Sequence, residues 1–221
     1  MEFRDWEPVY EQILSDFGYS REEDERAARE LAALASDKPQ CDDVCLTGMF
    51  GNCATIVAGP PRSEEHLHDL IKGTTLSVGI GTALLLKEGS VPDFVVTDLD
   101  GDVASDLDAN VKGAVLVVHA HGDNIPAIRQ FVPSVKGRMV LTTQSTPFGS
   151  VRDFGGFTDG DRAVVLAAHF GTHDLKLIGF DLRHPRPKAG TSIETKAKKL
   201  RWAERLIELI ELKNDIEIEY L

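Results

Sequence analysis

The sequence predicts an α/β fold, namely a doubly wound, mostly parallel sheet with helices on both faces and an N-terminal helical appendage. Short apolar runs without alternation, such as 94–97 and 114–118, are typical of strands that are buried on both faces. Helical segments separate these runs, as parallel neighbours require. With 221 residues, of which 42% are hydrophobic, the chain can form one such domain. We divide it into a helical appendage, 1–45, and an α/β catalytic domain, 46–221.

The N-terminal segment predicts two helices. Apolar residues recur at helical spacing from Trp6 to Phe17, and Gly18 follows as a stop signal. Ser20 with Glu23 forms a capping-box pattern that opens a second helix, which runs to about residue 35. Residues 36–53 contain a proline, several aspartates and all three cysteines, and we interpret them as a linker.

From residue 54 onward, predicted strands and helices alternate. The strands are 54–58, 75–79, 94–97, 114–118, 139–142, 175–179 and an alternating edge strand at 215–220. The first predicted helix follows residue 63 and ends near 72. The others are 83–87, 103–111, 124–135, 161–169 and the amphipathic 192–212. Ligands of such sheets bind beyond the carboxyl ends of the strands. We therefore expect the chemistry in the loops that follow the strands.

Composition and charge narrow the class of protein. No apolar run approaches the length of a membrane span, and the first residues lack the basic and apolar regions of a signal peptide. Three clustered cysteines, Cys41, Cys45 and Cys53, then predict a cytoplasmic chain with free thiols. A net charge of −12 repels phosphate backbones, so we expect no nucleic-acid partner. Without a membrane span, we also expect no membrane partner.

The loop after the first strand is a candidate phosphate site. Gly59 allows close approach of the backbone, Pro60 is compatible with a helix start, and Arg62 adds a positive donor before Ser63. A helix that starts here would present free N–H groups to a phosphate. An ordinary tight turn capped by Ser63 explains the same residues.

Three aspartates follow the 94–97 strand. Asp98, Asp100 and Asp102 crowd negative charge that a cation would offset, and oxygen ligands at this spacing favour Mg²⁺. The pattern is also similar to a calcium loop, but Ala109 stands where that loop needs a glutamate. The alternative is a solvated acidic turn that caps the next helix.

The loop after the 114–118 strand carries His119, His121, Gly122, Asp123 and Asn124. A zinc site would need further ligands that the sequence does not supply nearby. Phosphate contacts, proton transfer or support of a metal fit better, with Gly122 turning the backbone tightly against a ligand. We also expect this loop at the point where the strand order reverses. The alternative is a packed His119 and a helix capped by Asp123 or Asn124.

Two later segments add candidates. Hydroxyl-rich 142–150 and glycine-rich 154–161, with Phe148, Phe154 and Phe157, suit a flat heterocycle with polar edges. Asp181 follows the 175–179 strand, and a basic segment, 183–188, comes next. That segment would suit a triphosphate or be a surface loop, whereas we interpret Lys196, Lys198 and Lys199 as a solvated helix face.

The ordered motifs resemble those of a known family. Ala-Gly-Pro-Pro-Arg-Ser, Val-Thr-Asp-Leu-Asp-Gly-Asp, His-Ala-His-Gly-Asp-Asn and Gly-Phe-Asp-Leu are similar to segments of the archaeal 6-hydroxymethyl-7,8-dihydropterin pyrophosphokinases, across residues 45–215. That family resembles thiamine pyrophosphokinase catalytic domains in fold. The turn at Gly59 departs from the family's glycine-rich Pro-Ser turn, which leaves the role of Arg62 open.

The resemblance implies that ATP and hydroxymethyl-dihydropterin give the pterin diphosphate and AMP, for tetrahydromethanopterin or folate synthesis. Together with the residue patterns, it predicts the following site residues. Catalysis is assigned to Asp98, His121 and Asp123; Mg²⁺ to Asp98, Asp100 and Asp102; and ATP or substrate contacts to Gly59, Pro60, Arg62, Ser63, His119, Gly122, Asn124 and Asp181.

Other functions remain open from the sequence. One is a different transferase on this fold, either a thiamine pyrophosphokinase or a glycosyltransferase-like enzyme. Another is a non-enzymatic nucleotide-binding regulator, which would not need three aspartates beside a histidine loop. The expected partners are small-molecule substrates, and a homodimer is compatible with the sequence.

Overall fold

A computed structural model describes residues 1–185 and 192–221. Its strands are β1 (Cys53–Val57), β2 (Thr74–Val78), β3 (Phe94–Thr97), β4 (Val115–Ala120), β5 (Met139–Thr143), β6 (Val151–Arg152), β7 (Asp174–Ile178) and β8 (Glu217–Tyr220). Its α-helices are α1 (Phe3–Phe17), α2 (Arg21–Leu34), α3 (Asp43–Met49), α4 (Leu67–Leu70), α5 (Gly81–Lys87), α6 (Val103–Val111), α7 (Ile125–Phe131), α8 (Asp159–His169) and α9 (Ile193–Asn214). Short 3₁₀ turns at Gly122–Asn124 and Val132–Ser134 flank α7.

All the strands of the described residues join one sheet in the order β6-β5-β4-β3-β2-β1-β7-β8, and every neighbouring pair is parallel. This confirms the predicted α/β class. The order reverses between β1 and β7, where Val57 pairs with Ile178. The loop after β4 therefore does not lie at the reversal, contrary to our expectation, because three further strands separate β4 from β7.

Helices cover both faces of the sheet and bury its apolar residues in separate layers. On one face, α8 and α9 pack over residues such as Val96 and Val117. On the other, α2, α6 and α7 pack over residues such as Leu116 and Leu141. Alternate residues of β3, β4 and β5 thus enter opposite cores, which explains why these strands read as unbroken apolar runs.

The two N-terminal helices pack against this sheet at the carboxyl ends of its strands. In α1, Trp6 and Tyr10 are fully buried, and the Trp6 indole N–H donates to the carbonyl of Gln144, just after β5 (2.8 Å). In α2, Ala28 and Leu31 belong to the core that includes β4 and β5. Ser20 caps α2 as predicted by accepting from the Glu23 N–H (3.3 Å). The division of the chain at residue 45 stays a prediction.

Several local predictions were wrong. The segment 36–53 contains α3, and Gln40 pairs with Met139 beside β5, so it is not a plain linker. The helix expected to end near residue 72 is shorter than predicted and consists of the four residues of α4. Cys41 and Cys45 form a disulfide across one turn, whereas Cys53 is free, so the prediction of free thiols holds for one cysteine of the three.

Other predictions need smaller adjustments. β6 was not predicted, and α8 begins at Asp159, two residues earlier than expected. Part of the basic 183–188 segment lies outside the described residues. Within the ranges the structure describes, no helix combines the length and apolar character needed to cross a bilayer.

Candidate active site

Three carboxylates meet beyond the carboxyl end of β3. Asp98 and Asp100 follow that strand, Asp159 opens α8, and one oxygen of each lies within 4.8 Å of the others. The turn after β3 depends on Leu99, a non-glycine residue with a φ of 64°, whose N–H donates to the Thr97 hydroxyl (3.0 Å). Such a backbone conformation costs about 1–3 kcal/mol and persists where packing enforces it, as the buried Leu99 side chain does here.

Asp102, the third predicted metal ligand, is not part of this cluster. Its carboxylate accepts from the Ser105 N–H (3.2 Å) and the Ser105 hydroxyl (2.7 Å), so it caps α6. This is the alternative role that the sequence left open for an acidic turn. Asp159 stands in its place, contributed by a helix on the other side of the sheet.

The electrostatics of Asp98 fit a charged ligand. Burial raises its pKa, but hydrogen bonds with His121 and Asp100 outweigh burial and hold the pKa well below the usual range. The positive charge of Arg162 acts in the same direction. One carboxylate oxygen of Asp98, Oδ1, is buried and meets no hydrogen-bond partner among the described residues. An oxygen-only cluster in which Asp98 is held in its charged form and keeps an unused buried oxygen matches the preference of a hard divalent cation.

The loop after β4 faces this cluster through His121. Because β4 continues to Ala120, His119 and His121 are two positions apart and share one side of the strand end, where their ring centroids lie 6.3 Å apart. His121 Nε2 lies 3.4 Å from Asp98 Oδ2, and His121 Nδ1 accepts from the Asp123 N–H (3.3 Å). Asp123 itself is exposed on the same turn.

Asn124 ties the β3 and β4 loops together. Its amide nitrogen donates to the carbonyls of Asp98 (2.8 Å) and His119 (2.7 Å), and its Oδ1 accepts from the His121 N–H (3.0 Å). The Asn124 side chain thus joins these two loops, and it forms no cap hydrogen bond to α7. The residue fixes the spacing between Asp98 and His121.

Asp24 of α2 is a positioning residue that the sequence analysis missed. It is buried, and its carboxylate accepts from the Tyr10 hydroxyl (2.7 Å), the Gln144 amide (2.8 Å) and the Gly122 N–H (2.8 Å). The N-terminal helices therefore hold the His121–Asp123 turn in place. A Cβ on Gly122 would lie 2.8 Å from the Cβ of Glu23, so this contact requires glycine.

Two cations border the cluster. Arg162 of α8 is buried, and its guanidinium lies 3.3 Å from both Asp159 Oδ1 and Gln144 Oε1. Lys199 of α9 is partly buried over the rings of Tyr19 (5.8 Å) and Phe157 (5.7 Å). Burial and the charge of Arg162 lower the pKa of Lys199. The sequence had predicted a solvated helix face for Lys199, and its partial burial shows that this prediction was wrong.

A second group of predicted residues gathers at the reversal between β1 and β7. A Cβ on Gly59 would lie 3.2 Å from the Gly179 carbonyl oxygen, and Arg62 donates to the carbonyl of Phe180 (2.7 Å). Nearby, Asp181 accepts from the His184 N–H (3.0 Å) and its Nδ1 (2.9 Å). These backbones approach closely because neither strand end carries a bulky side chain.

The predicted helix start after β1 is wrong. Residues 58–66 are irregular, Pro60 and Ser63 are exposed, and the Ser63 hydroxyl donates to Glu65 Oε2 (3.0 Å). No array of free helical N–H groups stands at this loop. The predicted site residues thus form two groups, one at β3 and β4 and one at β1 and β7, with β2 between them.

Comparisons with known proteins agree on one family. The family model described as "6-hydroxymethylpterin diphosphokinase MptE-like" matches residues 30–186. Three curated proteins named 6-hydroxymethyl-7,8-dihydropterin pyrophosphokinase are similar over nearly their whole length. The protein of Methanothermobacter thermautotrophicus is 38% identical (99% of each chain), that of Pyrococcus furiosus 38% (97% of this chain, 96% of that protein), and that of Methanocaldococcus jannaschii 33% (100% of each).

Proposed function

The chain belongs to the MptE-like 6-hydroxymethylpterin diphosphokinase family, and on that premise we propose that it transfers diphosphate from ATP to 6-hydroxymethyl-7,8-dihydropterin. AMP is the second product, and the pterin diphosphate serves tetrahydromethanopterin or folate synthesis. The names of the three relatives support the acceptor. The observation that carries the proposal for this chain is the carboxylate cluster of Asp98, Asp100 and Asp159, which faces His121.

Mg²⁺ is the cofactor that these residues fit. The donor set consists of carboxylate oxygens, and Asp98 keeps one buried oxygen without a partner in the described part of the chain. Asp98, Asp100 and Asp159 would hold the ion. When bound, Mg²⁺ neutralises phosphate charge and polarises the phosphoryl oxygens.

The reaction has a simple balance. The pterin hydroxyl oxygen attacks the β-phosphorus of ATP, the bond from that phosphorus to the bridging oxygen of the α-phosphate breaks, and AMP leaves with the electron pair. The hydroxyl proton must go to a base. His121 Nδ1 already accepts from the Asp123 N–H, so in the neutral ring Nε2 carries the hydrogen and points at Asp98.

This arrangement suggests separate roles for the two loop residues. His121 orients Asp98, because the hydrogen on its Nε2 points at that carboxylate. The exposed Asp123 carboxylate, on the same turn, is the proposed proton acceptor. Asp24 and Asn124 fix this turn relative to β3, which positions both groups for the transfer.

ATP is proposed to span both groups of site residues. Gly59, Arg62 and Asp181 border the reversal at β1 and β7, and the carboxylate cluster lies at β3. Since neighbouring strands are about 4.8 Å apart, β1 and β3 lie about 10 Å apart across β2. A nucleotide held at the reversal would therefore extend its phosphates along this edge to the cluster.

The test is the product composition of one reaction. Purified protein is mixed with ATP, Mg²⁺ and 6-hydroxymethyl-7,8-dihydropterin, and parallel mixtures contain thiamine or no acceptor. Mass spectrometry should find AMP and pterin diphosphate in equal amounts, only with the pterin and lost when Mg²⁺ is chelated. Formation of ADP, transfer to thiamine instead, or absence of AMP would contradict the proposal.

Replacing Asp123 by asparagine tests its proposed role. We expect kcat/KM to fall by about tenfold or more, equivalent to about 1.4 kcal/mol of lost transition-state stabilisation, with an unchanged melting temperature. A purely structural role would leave activity intact, since asparagine and aspartate are similar in turns and caps. The matched control is Asp108→Asn. Asp108 is an exposed aspartate on α6 that pairs with Lys112 (2.7 Å), so this variant should remain fully active.

A further inference from the structure

A small inner pocket lies behind the carboxylate cluster, between the sheet and α8. Val96 and Val117 form its floor, His119 and Arg162 form its walls, and Phe154 and Gly155 cover it. As it stands, the pocket has room for about one water molecule. Its cover is the glycine-rich loop in which Gly155 and Gly156 have φ angles of 88° and 94°.

Two buried polar atoms that line this pocket have no protein partner in the described ranges. They are Nε2 of His119, whose side chain belongs to a residue only 2% exposed, and Nε of Arg162, 7% exposed. A buried polar group without a partner costs about 1–3 kcal/mol. A group that occupies the pocket, either a water molecule or part of a ligand, would supply these partners.

The hydrogen bonds around His119 define what its free nitrogen can do. The Thr142 hydroxyl donates to the carbonyl of Val118 (3.0 Å), so it must accept from His119 Nδ1 (3.1 Å). Nδ1 therefore carries the hydrogen, and Nε2 is an acceptor. Burial and the charge of Arg162 lower the pKa of His119 well below its usual value, which keeps the ring neutral.

The pocket therefore offers one acceptor and one donor beside apolar and aromatic surface. The pyrimidine edge of a pterin presents a carbonyl next to a ring N–H, which is the complementary pair. The pocket and the cluster share a wall, because the Arg162 guanidinium also contacts Asp159 (3.3 Å). Val96 of β3 and His119 of β4 each lie two residues before a site residue, Asp98 or His121, that directly follows the strand.

We propose that this inner pocket binds the fused ring of the pterin, with Arg162 Nε donating to the ring carbonyl and His119 Nε2 accepting from the adjacent ring N–H. This inference rests on the proposed function. Because the space now holds about one water molecule, this binding requires the segment of Phe154 and Gly155 to move outward, after which Phe154 would pack against the face of the ring. The hydroxymethyl group points toward the carboxylate cluster, where transfer takes place.

Two substitutions at His119 distinguish the role of Nε2, which faces the pocket, from the role of Nδ1, which bonds to Thr142. In His119→Asn, the amide nitrogen can replace Nδ1 and keep the bond to Thr142, but no atom reaches the place of Nε2. In His119→Gln, the longer side chain returns an acceptor to that place. Binding of 6-hydroxymethylpterin is measured by its fluorescence without ATP, the KM for ATP by turnover, and folding by a melting curve.

We expect His119→Asn to weaken pterin binding by about tenfold or more while the KM for ATP stays within about twofold, and His119→Gln to restore much of the affinity. A folded His119→Asn protein that binds pterin normally, or that loses ATP and pterin equally, would overturn the inference. An inactive wild-type protein would instead refute the proposed function, so the two failures are distinguishable.

Competition between related pteridines for the wild-type protein tests the same inference without depending on the folding of any variant. Lumazine keeps the ring carbonyl and its neighbouring N–H, whereas 2,4-diaminopteridine replaces the carbonyl by an amino group and reverses the pattern. Lumazine should compete with 6-hydroxymethylpterin, and the diamino compound should bind about tenfold or more weakly. Equal competition by both compounds would contradict recognition by His119 and Arg162.

Discussion

Replacing Asp98 by asparagine is expected to lower kcat by about a thousandfold while the protein remains folded. Asp98 belongs to the three-carboxylate cluster and keeps a buried oxygen without a protein partner. Asparagine has nearly the same shape, so the protein should stay folded, although losing the carboxylate that bonds His121 should lower the melting temperature somewhat. It cannot, however, supply the charge that holds Mg²⁺. Steady-state AMP formation at saturating Mg²⁺, together with a melting curve, measures both quantities.

Two other variants make this result specific. Asp159→Asn should reduce kcat to a similar degree, because Asp159 completes the cluster. Asp102→Asn should stay within about twofold of the wild type, since Asp102 caps α6 and asparagine caps equally well. Loss of activity in Asp102→Asn with full activity in Asp159→Asn would favour the three aspartates named from the sequence over the cluster in the structure.

Truncating Leu206 to alanine is expected to reduce the free energy of unfolding by about 2–5 kcal/mol. Leu206 is 1% exposed and lies in the cluster that joins α9 to α1, where it meets side chains such as Trp6 and Phe157. The substitution leaves a cavity beside the rigid aromatic rings of Trp6, Phe157 and Trp202, which cannot easily fill it. Chemical denaturation measures the change, and kcat of the folded protein should stay near the wild-type value.

Leu212→Ala is the matched control on the same helix. Leu212 is 84% exposed, so its truncation should change stability by no more than about 0.5 kcal/mol. If Leu206→Ala had the same free energy of unfolding as the wild type, packing of the apolar face of α9 would not stabilise the protein. Equal destabilisation by both substitutions would point instead to helix propensity as the cause.

The sheet was predictable because parallel strands buried on both faces need apolar side chains at every position. The failures lie where distant contacts override local signals. The segment after β1 has a helix-like Ser63-Glu-Glu pattern, yet Arg62 bonds to the carbonyl of Phe180, 118 positions away, and the chain stays irregular. In 36–53, the pairing of Gln40 with Met139 and the disulfide at α3 likewise depend on partners that no local pattern reveals.

The site was predictable where its residues follow neighbouring strands, and it was missed where they come from distant helices. Asp98 and His121 come together because both follow neighbouring parallel strands. Asp159 was missed because it begins a helix that crosses back over the opposite face of the sheet. Asp24 did leave a signal, since it shares helical spacing with the buried Ala27, Ala28 and Leu31. An acid on the apolar side of a helix indicates a buried carboxylate with partners elsewhere.

The pairing of β1 with both β2 and β7 also sets the order in which the protein can be completed during translation. Strands β2 to β6 each lie beside the strand made just before them, but one edge of β1 stays bare until β7 emerges. At about 5–20 residues per second, the 118 positions between Arg62 and Phe180 take roughly 6–24 s. During that time the nascent chain displays an unpaired apolar strand, which is a template for aggregation. Asp159 and Arg162 emerge only shortly before β7, so a ribosome-bound chain acquires the last carboxylate of its cluster and loses that bare edge at nearly the same moment.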